Sequence, residues 1–163
     1  MSWNDYVSNK LMNTVDANQH KLENVLEHGA LIGCNDGVTW AASAGFAVGK
    51  NKGTVEGSGE VEIDEFANLL DAFNNNGDCK KVGGIRLSKE KFYMVNFDSE
   101  KKVMYLKKQG GGACIAKSNM AFVIGVFSTS KKMKFDGKEE NQNPGMCNKV
   151  VEELQEYLVS LNY

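Results

Sequence analysis

Aromatic residues near the two ends of the chain have the types and the spacing needed to build a recognition surface. Trp3 and Tyr6 are three positions apart, so they lie on one face of a helix. Tyr157 and Tyr163 lie at the other end of the chain, and Trp40 lies in a predicted strand. A single aromatic ring most often packs in a core. In this sequence aliphatic residues can anchor both terminal helices, so we expect Trp3, Tyr6 and Tyr157 to line a groove between them.

A groove of this kind suits a proline-rich ligand. Flat rings pack against pyrrolidine faces, and indole N–H and phenol O–H groups can donate to prolyl carbonyls, which a polyproline II helix leaves without internal partners. Such a ligand is already extended, so binding costs little conformational entropy. The aromatic residues therefore predict a binding site for proline-rich peptides.

Basic residues form a second group of candidates. Arg86, Lys89 and Lys91 fall around one predicted strand and turn, and Lys107 and Lys108 follow another. Surface lysines are most often simply solvated. The residues by themselves therefore leave two interpretations open, a solvated face or a charged binding surface.

Residues typical of enzymes or metal sites are few. The two histidines, His20 and His28, belong to no recognisable nucleophile motif, and neither has a zinc-type spacing from a cysteine. The four cysteines form no CxxC pair, so we expect reduced thiols in or near the core. The glycines at 110–112 join two predicted strands, which favours a tight turn over a phosphate-binding loop. We therefore expect no catalysis, cofactor or metal.

The composition is typical of a globular cytoplasmic protein. Apolar residues make up 42% and charged residues 25% of the 163 residues, and the net charge of -2 does not favour nucleic-acid binding. No apolar run reaches the roughly 18 residues of a membrane span, and the N-terminus lacks the basic-then-apolar order of a signal peptide. We expect one monomeric domain over residues 1–163.

In the first half of the chain, residue spacing predicts helices on either side of a hairpin. Ser2 can cap a first helix, and residues 13–27 are predicted to form a second, weaker one. The turn residues at 35–37 join predicted strands at 30–34 and 38–41. Residues 45–59 are expected to form a loop or a weak edge hairpin. A helix is predicted from Glu62 to Phe73, ended by residues 74–77.

The second half is predicted to form an antiparallel meander and a closing helix. Strands are expected at 84–87, 92–97, 103–107, 113–116 and 121–127, joined by short turns. After a charged loop at 128–143, Asn143 is a good N-cap and Pro144 suits the first helical position. These elements predict one α+β domain with helices packed on an antiparallel sheet.

Four segments, in order along the chain, resemble the profilin family, and its ciliate-type members most of all. The match is thinner at residues 45–61 and 128–143. The resemblance implies a central antiparallel sheet of six to seven strands, with the N- and C-terminal helices on one face and the other helices opposite. The matching segments are Trp3-Asn4-Asp5-Tyr6-Val7, Asp36-Gly37-Val38-Thr39-Trp40-Ala41, the basic glycine-rich run at 106–113, and residues 144–152 with Tyr157-Leu158.

The resemblance also implies function. Profilins bind monomeric actin, regulate its polymerisation, and bind proline-rich proteins such as formins, which associates them with the cytoskeleton. The poly-proline site maps onto Trp3, Tyr6, Trp40, Tyr157, Leu158 and Tyr163. The actin-binding surface maps onto Arg86, Ser88, Lys91, Lys108, Lys117, Gly145, Asn148, Lys149 and Glu153.

Profilins commonly bind phosphoinositides as well, and clusters of basic residues attract anionic lipid. The candidates form two clusters, at 107–108 and at 131–134, and acidic residues closely follow the second cluster. The candidate residues are Lys107, Lys108, Lys131, Lys132 and Lys134.

Two alternatives remain open from the sequence. A PAS-like sensor domain also has a central antiparallel sheet with flanking helices, but it would hold a small molecule in an internal pocket. A profilin-fold protein that binds proline and has lost actin binding is the other. The paired terminal aromatic residues favour a profilin over a sensor.

Overall fold

The computed structural model describes residues 2–163, which form fourteen β-strands and three α-helices, the first of which continues as a π-helix. In chain order the elements are α1 (Trp3–Tyr6) with its π-helical continuation (Val7–Met12), β1 (Thr14–Val15), β2 (Lys21–Glu23), β3 (His28–Gly33), β4 (Thr39–Ala42), β5 (Lys50–Val55), β6 (Gly59–Asp64), α2 (Glu65–Asn74), β7 (Arg86–Leu87), β8 (Glu90–Lys91), β9 (Tyr93–Asp98), β10 (Val103–Lys108), β11 (Gly111–Lys117), β12 (Ala121–Ser128), β13 (Lys132–Phe135), β14 (Lys138–Asn141) and α3 (Pro144–Ser160).

Six antiparallel strands form the central sheet, in the order β4-β3-β12-β11-β10-β9. All residues of β12 except the last are buried, because helices cover both faces of the sheet at this strand. A strand buried on both faces has a continuous apolar sequence, which the run at 121–127 predicts correctly. The predicted α+β class and the six strands are confirmed.

The terminal helices share one face of this sheet, and α2 covers the other. Leu11, Val151 and Leu158 belong to one core cluster, together with Val123 of β12. The neighbouring residue of β12, Ile124, points to the opposite face and packs with α2 in a second cluster. Successive side chains of a strand point to opposite faces, so one strand contributes to both cores.

Both terminal helices begin at the predicted caps. The Ser2 side chain accepts a hydrogen bond from the Asp5 N–H, and the Asp5 carboxylate accepts one from the Ser2 N–H, which is a capping box. At α3 the Asn143 side chain accepts a hydrogen bond from Met146 N–H at 3.0 Å, with Pro144 in the first turn. These contacts fix where the two helices that carry the aromatic residues begin.

The helix predicted at residues 13–27 is wrong. Residues 13–27 instead contain β1 and β2, which join β13 and β14 in a second, four-stranded antiparallel sheet, in the order β1-β2-β13-β14. The Asn24 side chain donates to the Lys132 carbonyl, and Lys21 N–H donates to Asp136 at 2.7 Å. The charged loop predicted at 128–143 is therefore largely a hairpin. Its pairing with β2 joins residues more than a hundred positions apart.

The segment before α2 is a hairpin of β5 and β6, one of the two expectations for residues 45–59. The helix begins three residues later than predicted, at Glu65, because Asp64 caps it by accepting a hydrogen bond from Ala67 N–H. Ile63 is therefore a strand residue, although it is buried as predicted.

The four cysteines are free thiols, as predicted. Cys34, Cys114 and Cys147 are buried, and Cys79 is partly buried. Burial raises the pKa of the Cys114 and Cys147 thiols, so both stay protonated at neutral pH. Among residues 2–163, the helices are too short or too polar to cross a membrane.

A buried carboxylate holds the elements on the α2 side together. Glu65 accepts hydrogen bonds from Gly49 N–H at 3.2 Å, Ser88 N–H at 3.1 Å and Lys89 N–H at 2.6 Å. Ser88 and Lys89 both have positive φ angles, so this carboxylate stabilises a turn that their side chains disfavour. One residue thus connects the segment just before β5, α2 and the β7–β8 turn.

We predict that Glu65→Ala lowers the free energy of unfolding by about 3 kcal/mol, because three backbone N–H groups lose their acceptor. Urea denaturation would measure this loss. Glu62→Ala, at an exposed position of β6, is the control and should change stability by less than about 0.5 kcal/mol. Equal stabilities of the two variants would contradict the role given to Glu65.

Candidate functional site

Five aromatic side chains from three parts of the chain form one continuous cluster at the surface. The Trp3 ring lies at its centre, with ring centroids 4.6 Å from Trp40, 5.2 Å from Tyr6 and 5.3 Å from Tyr163. Tyr6 in turn lies 6.1 Å from Tyr157. The structure therefore brings together all the aromatic residues of the predicted poly-proline site. We refer to these five residues as the aromatic cluster.

The aromatic cluster combines rings that pack against the core with rings that are exposed to solvent. Tyr157 is 43% exposed and Tyr163 is 41% exposed, whereas Trp3, Tyr6 and Trp40 are partly buried. Burial, followed by the neighbouring Tyr157, raises the pKa of the Tyr6 phenol, so Tyr6 remains a neutral donor. The cluster presents apolar ring faces together with polar groups.

Backbone contacts position the C-terminal part of the aromatic cluster. Tyr163 N–H donates to the Leu158 carbonyl at 2.9 Å, and the main-chain oxygen of Tyr163 accepts from Met120 N–H at 2.7 Å. The Ser118 hydroxyl donates to the same oxygen at 2.8 Å. These bonds fold residue 163 back toward the β11–β12 turn, which places its ring against Trp3.

The structure contradicts one residue of the predicted poly-proline site. Leu158 has no exposed surface and belongs to the core between the sheet and the terminal helices. Its spacing from Leu154 places it on the inner side of α3, whereas Tyr157 is on the outer side. Leu158 therefore supports the aromatic cluster from below and is not available to a ligand.

Four predicted actin-binding residues lie together on the outer side of α3: Gly145, Asn148, Lys149 and Glu153. The Lys149 ammonium is 3.3 Å from the Asp16 carboxylate and 3.8 Å from that of Glu153. Asp16 is buried and also accepts from the N–H groups of Asn18 and His20. This network ties the turn between β1 and β2 to α3.

The predicted residues Arg86, Ser88, Lys91 and Lys108 lie on the other side of the sheet, with α2. Arg86 donates to the carbonyls of Thr54 and Gly83, and Lys91 donates to Gly83 at 2.9 Å. Burial, with Arg86 beside it, lowers the pKa of Lys91. These side chains bind their own chain, so they do not form one surface with α3.

Lys108 is the clearest case of a basic residue with internal partners. Its side chain is only 10% exposed, and its ammonium lies 2.9 Å from the Glu90 carboxylate and 3.3 Å from that of Glu27. Lys117 lies six residues along β11 from Gly111, the residue that pairs with Lys108. At about 3.3 Å per residue this separates the two lysines by roughly 20 Å. The predicted actin-binding set is therefore not one contiguous surface.

Among the predicted lipid-binding residues, Lys107, Lys131, Lys132 and Lys134 are exposed. Lys134 is paired with Glu139 across the β13–β14 hairpin and with Glu23 across β2. Together with the ion pairs of Lys108, these acidic neighbours reduce the positive field that would attract an anionic lipid. Phosphoinositide binding stays a prediction from the resemblance.

An exposed apolar strand at the edge of the central sheet was not among the predicted binding residues. Tyr93, Met94 and Val95 of β9 are 59%, 40% and 61% exposed. A break in the β9–β10 register leaves Val95 without a partner opposite it. Three consecutive apolar residues could have indicated this exposed strand, because apolar and polar residues alternate in a strand with one buried face.

A groove with a cavity volume of about 700 Å³ lies beside this strand, between β10 and the first turn of α3. It is lined by Val95, Tyr105, Phe127 and Asn148, among others. Burial, followed by the Glu152 carboxylate, raises the pKa of Tyr105 to about 12, so its phenol is neutral at physiological pH. The groove joins the exposed apolar strand to the outer side of α3.

The fold is that of a small α+β domain whose two terminal helices lie side by side on one face of a six-stranded antiparallel sheet. The profilin family model matches residues 1–163, and the chain belongs to the profilin family. The profilin of Tetrahymena pyriformis is 39% identical over 163 residues, covering 99% of this chain and 98% of that protein. The predicted family is thus confirmed, which excludes the PAS-like sensor.

Solved structures of similar fold are also profilins. Acanthamoeba castellanii profilin IB has a TM-score of 0.67 and 28% identity, covering 99% of this chain and 100% of that one. Mouse profilin IIa, in complex with a double repeat from the FH1 domain of mDia1, has a TM-score of 0.52 and 18% identity, covering 85% and 90%.

The buried Asp16 carboxylate predicts an acid-sensitive fold. Burial alone would raise the pKa of Asp16, but hydrogen bonds from His20 and Lys149 lower it to about 2. An unfolded aspartate titrates near 3.9, so the stability contributed by Asp16 is present above about pH 4 and is lost as the pH falls toward 2.

We therefore expect Asp16→Asn to be less stable than the wild type at pH 7 and to lose less stability between pH 4 and pH 2. Urea denaturation across this pH range is the measurement. Asp78→Asn, at an exposed position, should keep the wild-type pH profile. If Asp16→Asn lost as much stability between pH 4 and pH 2 as the wild type, other carboxylates would control acid unfolding.

Proposed function

We propose that this protein binds proline-rich ligands through the aromatic cluster and binds monomeric actin through the first turn of α3 and the adjoining groove. The observation that carries the proposal is the continuous contact of five aromatic rings, of which three pack against the core while remaining partly exposed and two are exposed. Aromatic residues that served only the core would be buried.

The spacing of the rings suits a polyproline II helix. Neighbouring centroids along the path from Trp40 through Trp3 and Tyr6 to Tyr157 are 4.6, 5.2 and 6.1 Å apart. A polyproline II helix rises about 3.1 Å per residue, so the steps correspond to about 1.5 to 2 residues each. The path therefore accommodates a tract of about five residues. The known complex of mouse profilin IIa with FH1 repeats of mDia1 supports a formin as one kind of partner.

The exposed strand β9 and the groove beside it support the actin-binding proposal. Protein interfaces combine an apolar centre with a polar rim, and contiguous exposed apolar patches mark interaction sites. Tyr93 and Val95 supply the apolar centre, and Lys107 and Asn148, which line the groove, supply polar atoms around it. Arg86 and Lys108 are not part of this proposed interface, because their side chains are already bound within the chain.

The proposed mechanism is stoichiometric binding without a chemical reaction. As in other profilins, covering one end of an actin monomer would block nucleation, and the aromatic cluster would bring the bound monomer to proline-rich proteins such as formins. The protein would thereby regulate actin polymerisation in the cytoplasm, in association with the cytoskeleton.

Replacing a ring of the aromatic cluster should weaken proline binding. We expect Tyr6→Ala to reduce affinity for decaproline at least about tenfold, because it removes a ring face and a phenol donor at the middle of the path. The fluorescence of Trp3 and Trp40 during peptide titration is the measurement. Tyr93→Ala, remote from the cluster, should bind decaproline like the wild type. Wild-type affinity in a folded Tyr6→Ala variant would refute this assignment.

A charge on the exposed apolar strand should weaken actin binding. We expect Val95→Lys to reduce affinity for actin monomers at least about tenfold while leaving decaproline binding unchanged, because a charge at the apolar centre must be desolvated. Actin sedimentation measures the first effect, and Val38→Lys, at another exposed valine, is the control. If an Arg86→Ala/Lys108→Ala variant lost actin binding and Val95→Lys kept it, the interface would lie on the α2 side.

A further inference from the structure

A second groove continues the aromatic cluster beyond Tyr157. It has a cavity volume of about 470 Å³ and lies between the π-helical segment, β1 and α3. Lys10 and Val15 line one wall, and Glu153, Glu156 and Tyr157 line the other. We refer to it as the flanking groove. The proposed function of the aromatic cluster makes no use of it.

Tyr157 belongs to both sites, which makes them continuous. On one side its ring contacts Tyr6 in the aromatic cluster, and on the other side it lines the flanking groove. The path of rings from Trp40 through Trp3 and Tyr6 ends at Tyr157. A proline tract that follows this path therefore leads its flanking residues into the groove.

The charges of the flanking groove are predominantly negative. Glu153 and Glu156 face it, against the single cation Lys10, whose ammonium lies 5.2 Å from the centre of the Tyr157 ring. Within residues 2–163, Glu156 makes no ion pair. Glu153 has Lys149 at 3.8 Å, but that ammonium lies closer to Asp16, at 3.3 Å. Two carboxylates therefore remain incompletely neutralised at the end of the proline path.

The ionisation of Glu153 agrees with this excess of negative charge. Burial raises the pKa of Glu153; Lys149 opposes that shift, while Asp16 and Glu156 add to it through repulsion. A cation entering the groove would relieve this repulsion.

We propose that the flanking groove binds a lysine or arginine that adjoins the proline tract of a ligand, and so selects proline-rich partners with a basic flank. This inference rests on the proposed proline binding. The apolar stem of the basic residue packs on Val15, which is 58% exposed, and on the Tyr157 ring. Its charged head pairs with Glu156 and Glu153. Arginine suits this site best, because its planar fork binds carboxylates in a bidentate manner.

Four end-capped peptides test the proposal: decaproline, decaproline with two arginines at its N-terminal or C-terminal end, and decaproline with two glutamates at the end that arginine favours. We expect one arginine-flanked peptide to bind about two- to fivefold tighter than decaproline, the range expected for partly exposed ion pairs. The glutamate-flanked peptide should bind more weakly than decaproline. Added salt should reduce the arginine preference.

Glu156→Gln is the decisive variant, because this exposed side chain makes no ion pair within residues 2–163 and the substitution keeps its shape. We expect it to bind decaproline like the wild type and to lose most of the arginine preference. Glu56→Gln changes the net charge equally, in the β5–β6 turn, and should keep the preference.

Two results would overturn the inference while leaving the proposed function intact: equal affinities of the wild type for all peptides, or an arginine preference that survives in the Glu153→Gln/Glu156→Gln variant. A folded wild type that binds no decaproline would instead reject proline binding, and the inference with it.

Discussion

The close approach of both terminal helices to the central sheet is the constraint on which the proposed binding surfaces depend. Gly125 of β12 and Gly29 of β3 are paired across neighbouring strands. A Cβ atom at Gly125 would lie 2.6 Å from the Val151 side chain, and one at Gly29 would lie 3.3 Å from that of Leu11. The absence of two methyl groups thus lets α3 and the π-helical segment lie side by side on the sheet. Their outer sides then meet, which brings Tyr6 and Tyr157 together.

Strong local patterns in the sequence predicted the parts of the fold that depend on local interactions. The apolar run of β12, the Ser2 cap and the Asn143-Pro144 start of α3 each act within a few residues. The prediction of a helix at 13–27 was wrong, because the spacing of leucines and valines there fits a helix as well as the short strands β1 and β2. The partner of β2, β13, lies more than a hundred residues away, and local spacing contains no information about that pairing.

The aromatic residues that come together could be predicted from the sequence, whereas the arrangement of the basic residues could not. Residue spacing shows which side chains lie on the same face of a helix, and the aromatic residues of the terminal helices could be placed in this way. Lys107 and Lys108 are adjacent in sequence, but alternation in β10 directs them to opposite faces of the sheet. Lys108 then meets Glu27 and Glu90. Adjacent charges on a strand therefore do not indicate a common surface, and ion pairs between distant residues decide which charges stay available.

The position of the two proposed surfaces on α3 determines whether both ligands can bind at once. Asn148 and Tyr157 are nine residues apart, and a helix rises 1.5 Å per residue, so about 14 Å of helix separates the proposed actin-binding groove from the aromatic cluster. Lys149 lies between them and forms ion pairs with the buried Asp16 and with Glu153. The middle of α3 is thus held by an internal charge network, while its two ends are open. If both proposed sites bind their ligands, an actin monomer and a proline tract would contact opposite ends of the same helix.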